Sequence, residues 1–305
     1  MTTLIVRNSI NRPPLRHGLV LITLVLACFG LLPQTQAALP PEIPGNPDGC
    51  YPAFNTVEGC NALSGLGPGI GNTGLGWYAL GFNFGGSLNT AVGAGALDLN
   101  EADANTAVGS AALLLNTIGR GNTAVGAGAL AFNEADGNTA VGLLTLGTNI
   151  IGLGNTAVGA GALALNDGDP SIEDSGSGNT ALGAGVLSLN IPGKGSTGVG
   201  ARALLNNTAD GSTAVGVDAL TSNTVGRGNT ALGAEALKQN TEGSGNTAVG
   251  VRTLLNNDGP LNTAVGVNAL TANTTGDGNT AVGAGPGVIP QPSPSPHRYP
   301  CSSRE

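Results

Sequence analysis

The chain has 305 residues, of which 52 are glycine and only 3% are aromatic, and this composition excludes a conventional globule built around large side chains. Charged residues make up 10% and the formal net charge is −8, while 40% of the residues are hydrophobic, which argues against disorder driven by charge. Because an acidic chain with few basic residues attracts phosphate groups weakly, we expect neither nucleic acid nor an anionic membrane surface as a partner. The chain is therefore expected to fold around small side chains.

The first 37 residues have the pattern of a secretory signal peptide. Arg7, Arg12 and Arg16 precede an apolar run at residues 18–32, and small residues precede a cleavage site after Ala37. This run is shorter than the roughly 20 residues that span a bilayer, so an uncleaved membrane anchor is the weaker alternative, as is lipid attachment at Cys28. We predict a secreted or surface-displayed protein, whose cleaved chain keeps eight basic and nineteen acidic residues, a net charge of −11.

Three cysteines follow the signal peptide. Cys50 and Cys60 lie around the junction between a linker or cap (residues 38–54) and the first repeat, and they form a candidate disulfide in an oxidising compartment. Two free thiols are the alternative. Cys301 stands alone near the C-terminus.

Residues 55–285 are predicted to form a repeat domain, because a segment similar to "NTAVGAGAL" returns at intervals of sixteen or seventeen residues, with one interval of twenty-four. Self-similarity at a fixed period predicts a stacked array. The repeats begin at Asn55, Asn72, Asn89, Asn105, Asn122, Asn138, Asn155, Asn179, Ser196, Ser212, Asn229, Asn246, Asn262 and Asn279.

Four repeat positions hardly vary. The second is Thr, the fifth is Gly, the ninth is Leu wherever the repeat is long enough, and the twelfth is Asn from Asn83 to Asn273, with Leu66 in the first repeat. Length changes fall after the twelfth position, which identifies that place as a surface turn.

The segment "TAVG" alternates like a strand and is too short for a helix, and we interpret "ALxxN" as a second short strand, with a single helical turn as the alternative. Each repeat then makes one coil, and successive coils stack in parallel about 4.8 Å apart. The predicted fold class is all-β, a parallel β-roll or β-solenoid of 16–17-residue coils.

Alternation within "TAVG" predicts which side chains fill the coil. We expect the fourth-position Val and the ninth-position Leu inside, together with Thr, whose hydroxyl would meet a corner backbone group. The third-position Ala, as at Ala91, Ala107, Ala124 and Ala140, is then expected to point outward, so that flat Ala and Gly faces of several rods pack together. The Asn columns are expected to bond from coil to coil through their amides.

The pattern "NTAVGxxAL…N", with "NTTGDGNTAVG" at residues 273–283, resembles the head repeats of trimeric autotransporter adhesins, the YadA-like heads with haemagglutinin-type repeats, and also repeats of phage tail-fibre proteins. The resemblance covers about residues 55–283. It implies a left-handed β-roll, three chains side by side in a homotrimer, and a role outside the cell in binding host or environmental surfaces.

Two parts of such adhesins are not recognisable after Gly283, the heptad-rich stalk and the C-terminal membrane barrel. Residues 286–305 are rich in Pro and Ser and are expected to be a disordered tail. We therefore expect a released protein, a truncated gene product, or a head that another component holds at the outer membrane.

An enzyme is not expected, and neither is a cofactor or a small-molecule substrate. The histidines are His17, in the signal peptide, and His297, in the tail, so the repeats cannot supply a histidine base. Glu101, Glu134 and Glu235 are interpreted as solvated charges.

The segment "DGDPSIEDSGSG" contains a conceivable Ca²⁺ site, formed by Asp167, Asp169, Glu173 and Asp174. A plain acidic loop is the preferred interpretation, so no metal site is predicted.

The resemblance places the candidate adhesive surface on five "NTAVG" coils, and the expected partner is extracellular matrix, glycan or another surface polymer. An alternative is that these residues only build the roll. A further alternative is a monomeric β-solenoid that binds ice or another surface, which requires a solvent-facing Thr row. The candidate adhesive residues are Asn89, Thr90, Asn105, Thr106, Asn122, Thr123, Asn138, Thr139, Asn155 and Thr156.

Overall fold

The computed structural model describes residues 50–51 and 54–285. These residues form parallel strands in stacked coils, so the predicted all-β solenoid is confirmed. The predicted signal peptide and tail lie outside the described residues. Within the described part, no helix has the length and apolar character needed to cross a membrane.

The first sheet contains one strand from each coil, preceded by a short strand that pairs antiparallel with the first coil. Its strands are Cys50–Tyr51 (β1), Asn55–Glu58 (β2), Thr73–Leu75 (β3), Thr90–Val92 (β5), Thr106–Val108 (β7), Thr123–Val125 (β9), Thr139–Val141 (β11), Thr156–Val158 (β13), Thr180–Leu182 (β14), Thr197–Val199 (β15), Thr213–Val215 (β16), Thr230–Leu232 (β17), Thr247–Val249 (β18), Thr263–Val265 (β19) and Thr280–Val282 (β20).

The second sheet is smaller, and its strands cover only the eleventh and twelfth repeat positions. They are Phe82–Asn83 (β4), Leu99–Asn100 (β6), Leu115–Asn116 (β8), Phe132–Asn133 (β10) and Thr148–Asn149 (β12). The predicted second strand over "ALxxN" was therefore too long, because the Ala and Leu that open it lie in a turn. Isolated bridges at Leu165 and Leu189 continue the pairing of this sheet toward the C-terminal coils.

Register along the first sheet follows the repeat. Thr pairs with Thr, Ala with Ala, and Val with Val in neighbouring coils, as between β7 and β9 and between β9 and β11. The twenty-four-residue interval does not disturb this order, because β13 and β14 still pair Thr156 with Thr180. The seven extra residues therefore leave the stack as a loop and return to it.

The interior of the coils is filled by Ala at the third position, a small residue at the eighth position and Leu at the ninth. Ala91, Ala107, Ala124 and Ala140 are fully buried, as is Leu130. The prediction that these alanines point outward was wrong, and so was the placement of Val and Thr inside. The ninth-position Leu already occupies most of the narrow interior, so the small alanine methyl group fits beside it at close-packed density.

Two corners close each coil. The fifth-position Gly has a positive φ, for example 135° at Gly109, a conformation that glycine adopts readily at a tight corner. The ninth-position Leu also has a positive φ, 49° at Leu130, which the sequence did not indicate. This conformation is uncommon for a residue with a Cβ, but it directs the leucine side chain into the core, where burial offsets the strain.

Two columns of buried Asn run from coil to coil, as predicted. At the twelfth position each amide from Asn100 onward donates to the side-chain oxygen of the preceding coil, as from Asn133 Nδ2 to Asn116 Oδ1 at 2.9 Å. At the first position the side-chain oxygen accepts the backbone N–H of the next coil, as at Asn105 Oδ1 from Asn122 N at 2.9 Å. The columns satisfy polar groups that the turns would otherwise bury without partners.

Candidate binding surfaces

The outer side of the first sheet presents the threonines of the second repeat position and the Val or Leu of the fourth, and we name it the Thr/Val face. Val108, Val125 and Val141 are 38%, 37% and 36% exposed, and the neighbouring threonines are partly exposed. The fourth-position column begins with Glu58 and is uncharged from Leu75 onward. The face is therefore regular and mostly apolar, with a spacing of about 4.8 Å between coils.

The predicted adhesive residues separate into two groups. The threonines Thr90, Thr106, Thr123, Thr139 and Thr156 lie on the Thr/Val face and reach solvent. The asparagines Asn89, Asn105, Asn122, Asn138 and Asn155 are buried, with at most 1% exposed, so their side chains cannot contact a partner and this part of the prediction is corrected. Their amides are instead committed to the hydrogen-bonded column, because a buried amide left without a partner costs free energy.

The C-terminal coils carry an ion-pair ladder on the seventh and tenth repeat positions. Arg202 Nε lies 2.7 Å from Asp218 Oδ1, and its hydrogen bond lowers the pKa of this carboxyl group. Lys238 Nζ approaches Glu235 at 2.9 Å and Asp218 at 3.4 Å, while Arg252 Nε reaches Glu235 at 2.8 Å. The hydrogen bond from Arg252 lowers the pKa of Glu235. Glu235 is thus paired with two cations rather than solvated alone, while Glu101 and Glu134 lie exposed in turns.

The carboxyl groups of the acidic loop lie in different surroundings. Asp169 accepts hydrogen bonds from the backbone N–H and hydroxyl of Ser171, which lower its pKa. Burial raises the pKa of Asp167, whose Oδ1 has no hydrogen-bond partner. Across the described coils and loop, His, Cys, Asp and Glu form no group of three that could hold a metal ion.

Cys60 is a half-buried free cysteine in the structure. The backbone of Cys50 pairs with Thr56 in the strand that precedes the first coil. The Cys50–Cys60 disulfide therefore stays a prediction for the oxidised protein.

A feature that the sequence reasoning missed is an aromatic strip, Trp77, Tyr78, Phe82 and Phe84, on the coil that begins at Asn72. The ring centroids of Trp77 and Tyr78 are 4.6 Å apart, and those of Tyr78 and Phe82, and of Phe82 and Phe84, are each 6.2 Å apart. Trp77 and Phe82 are each 39% exposed, and Phe84 is 55% exposed. The signal was visible as "WYALGFNF", which holds four of the nine aromatic residues of the chain.

Asp98 of the next coil lies beside this strip. Gly81 makes room for the carboxyl group, because a Cβ at residue 81 would collide with Asp98 Oδ1 and approach the ring of Tyr78 to 2.9 Å. That oxygen is buried and has no hydrogen-bond partner, and burial raises the pKa of Asp98 to about 6. The strip is thus an exposed apolar surface with an unpaired hydrogen-bond acceptor at its side.

Comparisons with known proteins leave the family open. The resemblance to adhesin head repeats rests on the repeat motif itself, since no protein-family model, no curated protein and no solved structure matches the chain.

Proposed function

We propose that the chain is an adhesin-like binding and structural protein, secreted or displayed at the cell surface, that presents a repetitive β-solenoid to an extracellular matrix, a glycan or another surface polymer. The in-register stack carries this proposal. It places the exposed positions of each coil next to the equivalent positions of its neighbours, from Asn55 to Val282. A repetitive surface suits many weak contacts with a polymer, because linked contacts gain affinity together. Catalysis is not part of the proposal.

Homotrimer formation is the second part of the proposal, and the Thr/Val face is the contact surface between copies. It offers a contiguous apolar area, and patches larger than a few hundred Å² on soluble proteins mark interaction sites. The predicted packing through outward alanines fails because those alanines are buried, but the exposed Val and Leu column provides apolar area in their place. The rest of each coil then faces outward.

The solution mass of residues 38–305, measured by light scattering together with far-ultraviolet circular dichroism, tests this arrangement. We expect a β-rich particle of three chain masses. Val125→Lys combined with Val141→Lys should yield a folded monomer, because both side chains are partly exposed in the single chain. Glu134→Lys, at an exposed turn, is the charge-matched control and should remain trimeric. A β-rich monomer for the unmodified chain would refute the trimer.

Ice binding by a monomer is the second candidate function, and the solvent-facing Thr row specifically favours it. A regular row of hydroxyl and methyl groups on a flat sheet is suited to a crystalline surface, and the buried alanines show that Thr occupies the outer side. The trimer and ice binding exclude one another, since both use the same face. Thermal hysteresis in a monomeric sample that is lost in Thr123→Lys would establish ice binding, while a trimer without hysteresis would dismiss it.

A further inference from the structure

Asp–Gly pairs recur between the strands of the coils, and this dipeptide is chemically reactive. The backbone nitrogen of the glycine attacks Cγ of the aspartate, a new N–Cγ bond closes a succinimide ring, and the nitrogen's proton leaves with the carboxyl hydroxyl as water. Because glycine has no side chain, little hinders this attack. Water then opens the ring at either carbonyl carbon, so the main chain continues through aspartate or through isoaspartate. The pairs within the described residues are Asp136–Gly137, Asp167–Gly168, Asp210–Gly211, Asp258–Gly259 and Asp277–Gly278.

In four of these five pairs a hydrogen bond holds the glycine nitrogen. The glycine N–H donates to a backbone carbonyl oxygen of a neighbouring coil. Attack on Cγ requires this nitrogen to lose its proton and the peptide plane to turn, and the hydrogen bond opposes both. The four bonds run from Gly137 to Arg120 at 2.9 Å, from Gly211 to Lys194 at 2.9 Å, from Gly259 to Thr274 at 3.1 Å and from Gly278 to Pro260 at 3.2 Å.

Asp167–Gly168 lacks this restraint. The N–H of Gly168 donates to no other group of the described residues, and Oδ1 of Asp167 has no hydrogen-bond partner either. Burial also raises the pKa of Asp167, which increases the protonated fraction of its carboxyl group, and the protonated form loses its oxygen more readily as water. Both reacting groups of this pair are therefore less restrained than those of the other four.

The packing around the loop keeps glycine at position 168. Gly168 has a φ of 69°, and a Cβ there would lie 2.5 Å from Cγ1 of Ile151. A larger residue would slow the attack, but it would be strained at this φ and would collide with Ile151. The loop also has room for the product, since its seven extra residues already leave the stack while Thr156 still pairs with Thr180.

We propose that Asp167–Gly168 is the principal site of spontaneous isoaspartate formation among the Asp–Gly pairs of the folded coils, and that the modified chain keeps its stack. The reaction is intramolecular and consumes only water in its second step, so no ligand has to reach the half-buried carboxyl group. The proposal does not depend on what the solenoid binds.

Prolonged incubation of the folded protein tests this assignment. Residues 38–305 would be kept for several weeks at mildly acidic pH and physiological temperature and then digested with a Glu-specific protease. Cleavage after Glu134 and Glu173 releases one peptide that contains both Asp136 and Asp167. Electron-transfer fragmentation distinguishes isoaspartate from aspartate at each position. We expect at least fivefold more isoaspartate at residue 167 than at residue 136, with an unchanged circular dichroism spectrum.

Two variants and a denatured sample supply the controls. Asp167→Glu should remove the signal at this position, because the larger ring that glutamate would form closes much more slowly. Asp136→Glu should leave the signal at residue 167 unchanged. In concentrated urea the hydrogen bonds of the turns are lost, so the two aspartates should react at similar rates.

Three results would overturn the proposal. Equal or greater modification of Asp136 in the folded protein would show that the bond from Gly137 gives no protection. The same preference for Asp167 in urea would assign the difference to the local sequence rather than to the fold. Loss of the β-rich spectrum as isoaspartate accumulates would show that the stack does not tolerate the modified loop.

Discussion

At the scale of the residue, volume decides which side of each strand is buried. In "TAV" both the Thr–Val pair and the Ala between them are compatible with burial, and hydropathy alone favours Val. The structure buries Ala124 completely and leaves Val125 37% exposed. A strand shifted by one residue exchanges every side chain between its faces, so this single choice sets the chemistry of the whole outer surface.

Substitutions at neighbouring positions test this assignment. Ala124→Val adds two methyl groups to a filled interior and should destabilise the fold by about 1–3 kcal/mol. Val125→Ala removes a partly exposed side chain and should cost less than about 1 kcal/mol. Chemical denaturation of both variants gives the comparison, and a larger loss for Val125→Ala would contradict the observed orientation.

Truncation of one side chain in the first-position asparagine column should lower the stability of the fold. Asn105→Ala removes the acceptor of the Asn122 backbone N–H and of its side-chain amide, at 2.9 and 3.2 Å. Both groups are buried, so the free energy of unfolding should fall by about 1–3 kcal/mol. Asn206→Ala, at a half-buried position outside both columns, should change it by less than about 0.5 kcal/mol.

The raised pKa of Asp98 predicts how the stability of the folded protein depends on pH. Its pKa rises from 3.8 when unfolded to about 6 when folded, because burial disfavours the carboxylate. The folded protein then binds more protons between these values, so the stability contributed by this residue is full below pH 3.8 and is lost as the pH rises through 6. Asp98→Asn should reduce the stability difference between pH 4 and pH 7 by about 1 kcal/mol, allowing for the exposed part of the side chain. An unchanged difference, measured by denaturation, would contradict the raised pKa.

At the scale of the element, the corner that follows each strand has no room for a side chain at the fifth repeat position. Gly109 has a φ of 135°, and a Cβ there would lie 2.6 Å from the carbonyl oxygen of Gly126 in the next coil. Since the neighbouring coil supplies backbone atoms at this contact, relief requires the coils to move apart. The fifth-position glycines are thus required by the close approach of backbones as well as by φ.

Gly109→Ala should therefore destabilise the solenoid by more than about 3 kcal/mol, because strain and collision act together. Gly121→Asn is the control, since Gly121 has a φ of 65°, a Cβ added there would meet no atom within 4 Å, and Asn tolerates this conformation. Thermal melts of the two variants should differ clearly. Equal melting temperatures would show that the coils can separate at this corner without cost.

At the scale of the whole repeat stack, stability is expected to be a sum over neighbouring coils. Each strand of the first sheet pairs only with the strand before it and the strand after it, and the loop at residues 167–178 leaves the stack without disturbing the register. Linear arrays of this kind tolerate changes in the number of units more readily than changes within one unit.

Deletion of residues 122–137 removes one complete repeat and joins Gly121 to Asn138, so the coils on both sides should stack in register. We expect a β-rich spectrum and a lower denaturant m-value, in proportion to the surface lost. Deletion of residues 122–129 removes half a repeat, misaligns the Asn columns and should cost several kcal/mol. Similar stability for the two deletions would refute the additive picture.

The sequence by itself determined the architecture of this protein. Identical residues at a fixed period can be satisfied together only when the coils stack in register, which brings Thr onto Thr and forms the Asn columns. It also located the surface turns, because the length changes fall in one place. These features follow from the periodicity of the sequence, so they can be predicted without knowing how the side chains pack.

Only the tertiary structure decided which face of the strand is buried, where the second strand begins, and how the exposed groups combine. The left-handed Leu at each corner fills much of the interior, and after the first coil, where Val57 is buried, the third position holds only Ala or Gly. The meeting of Asp98 with the aromatic strip likewise depends on stacking one coil over the next. Such contacts join residues about seventeen positions apart, and the volume available between them is fixed by the packed coils rather than by the local sequence.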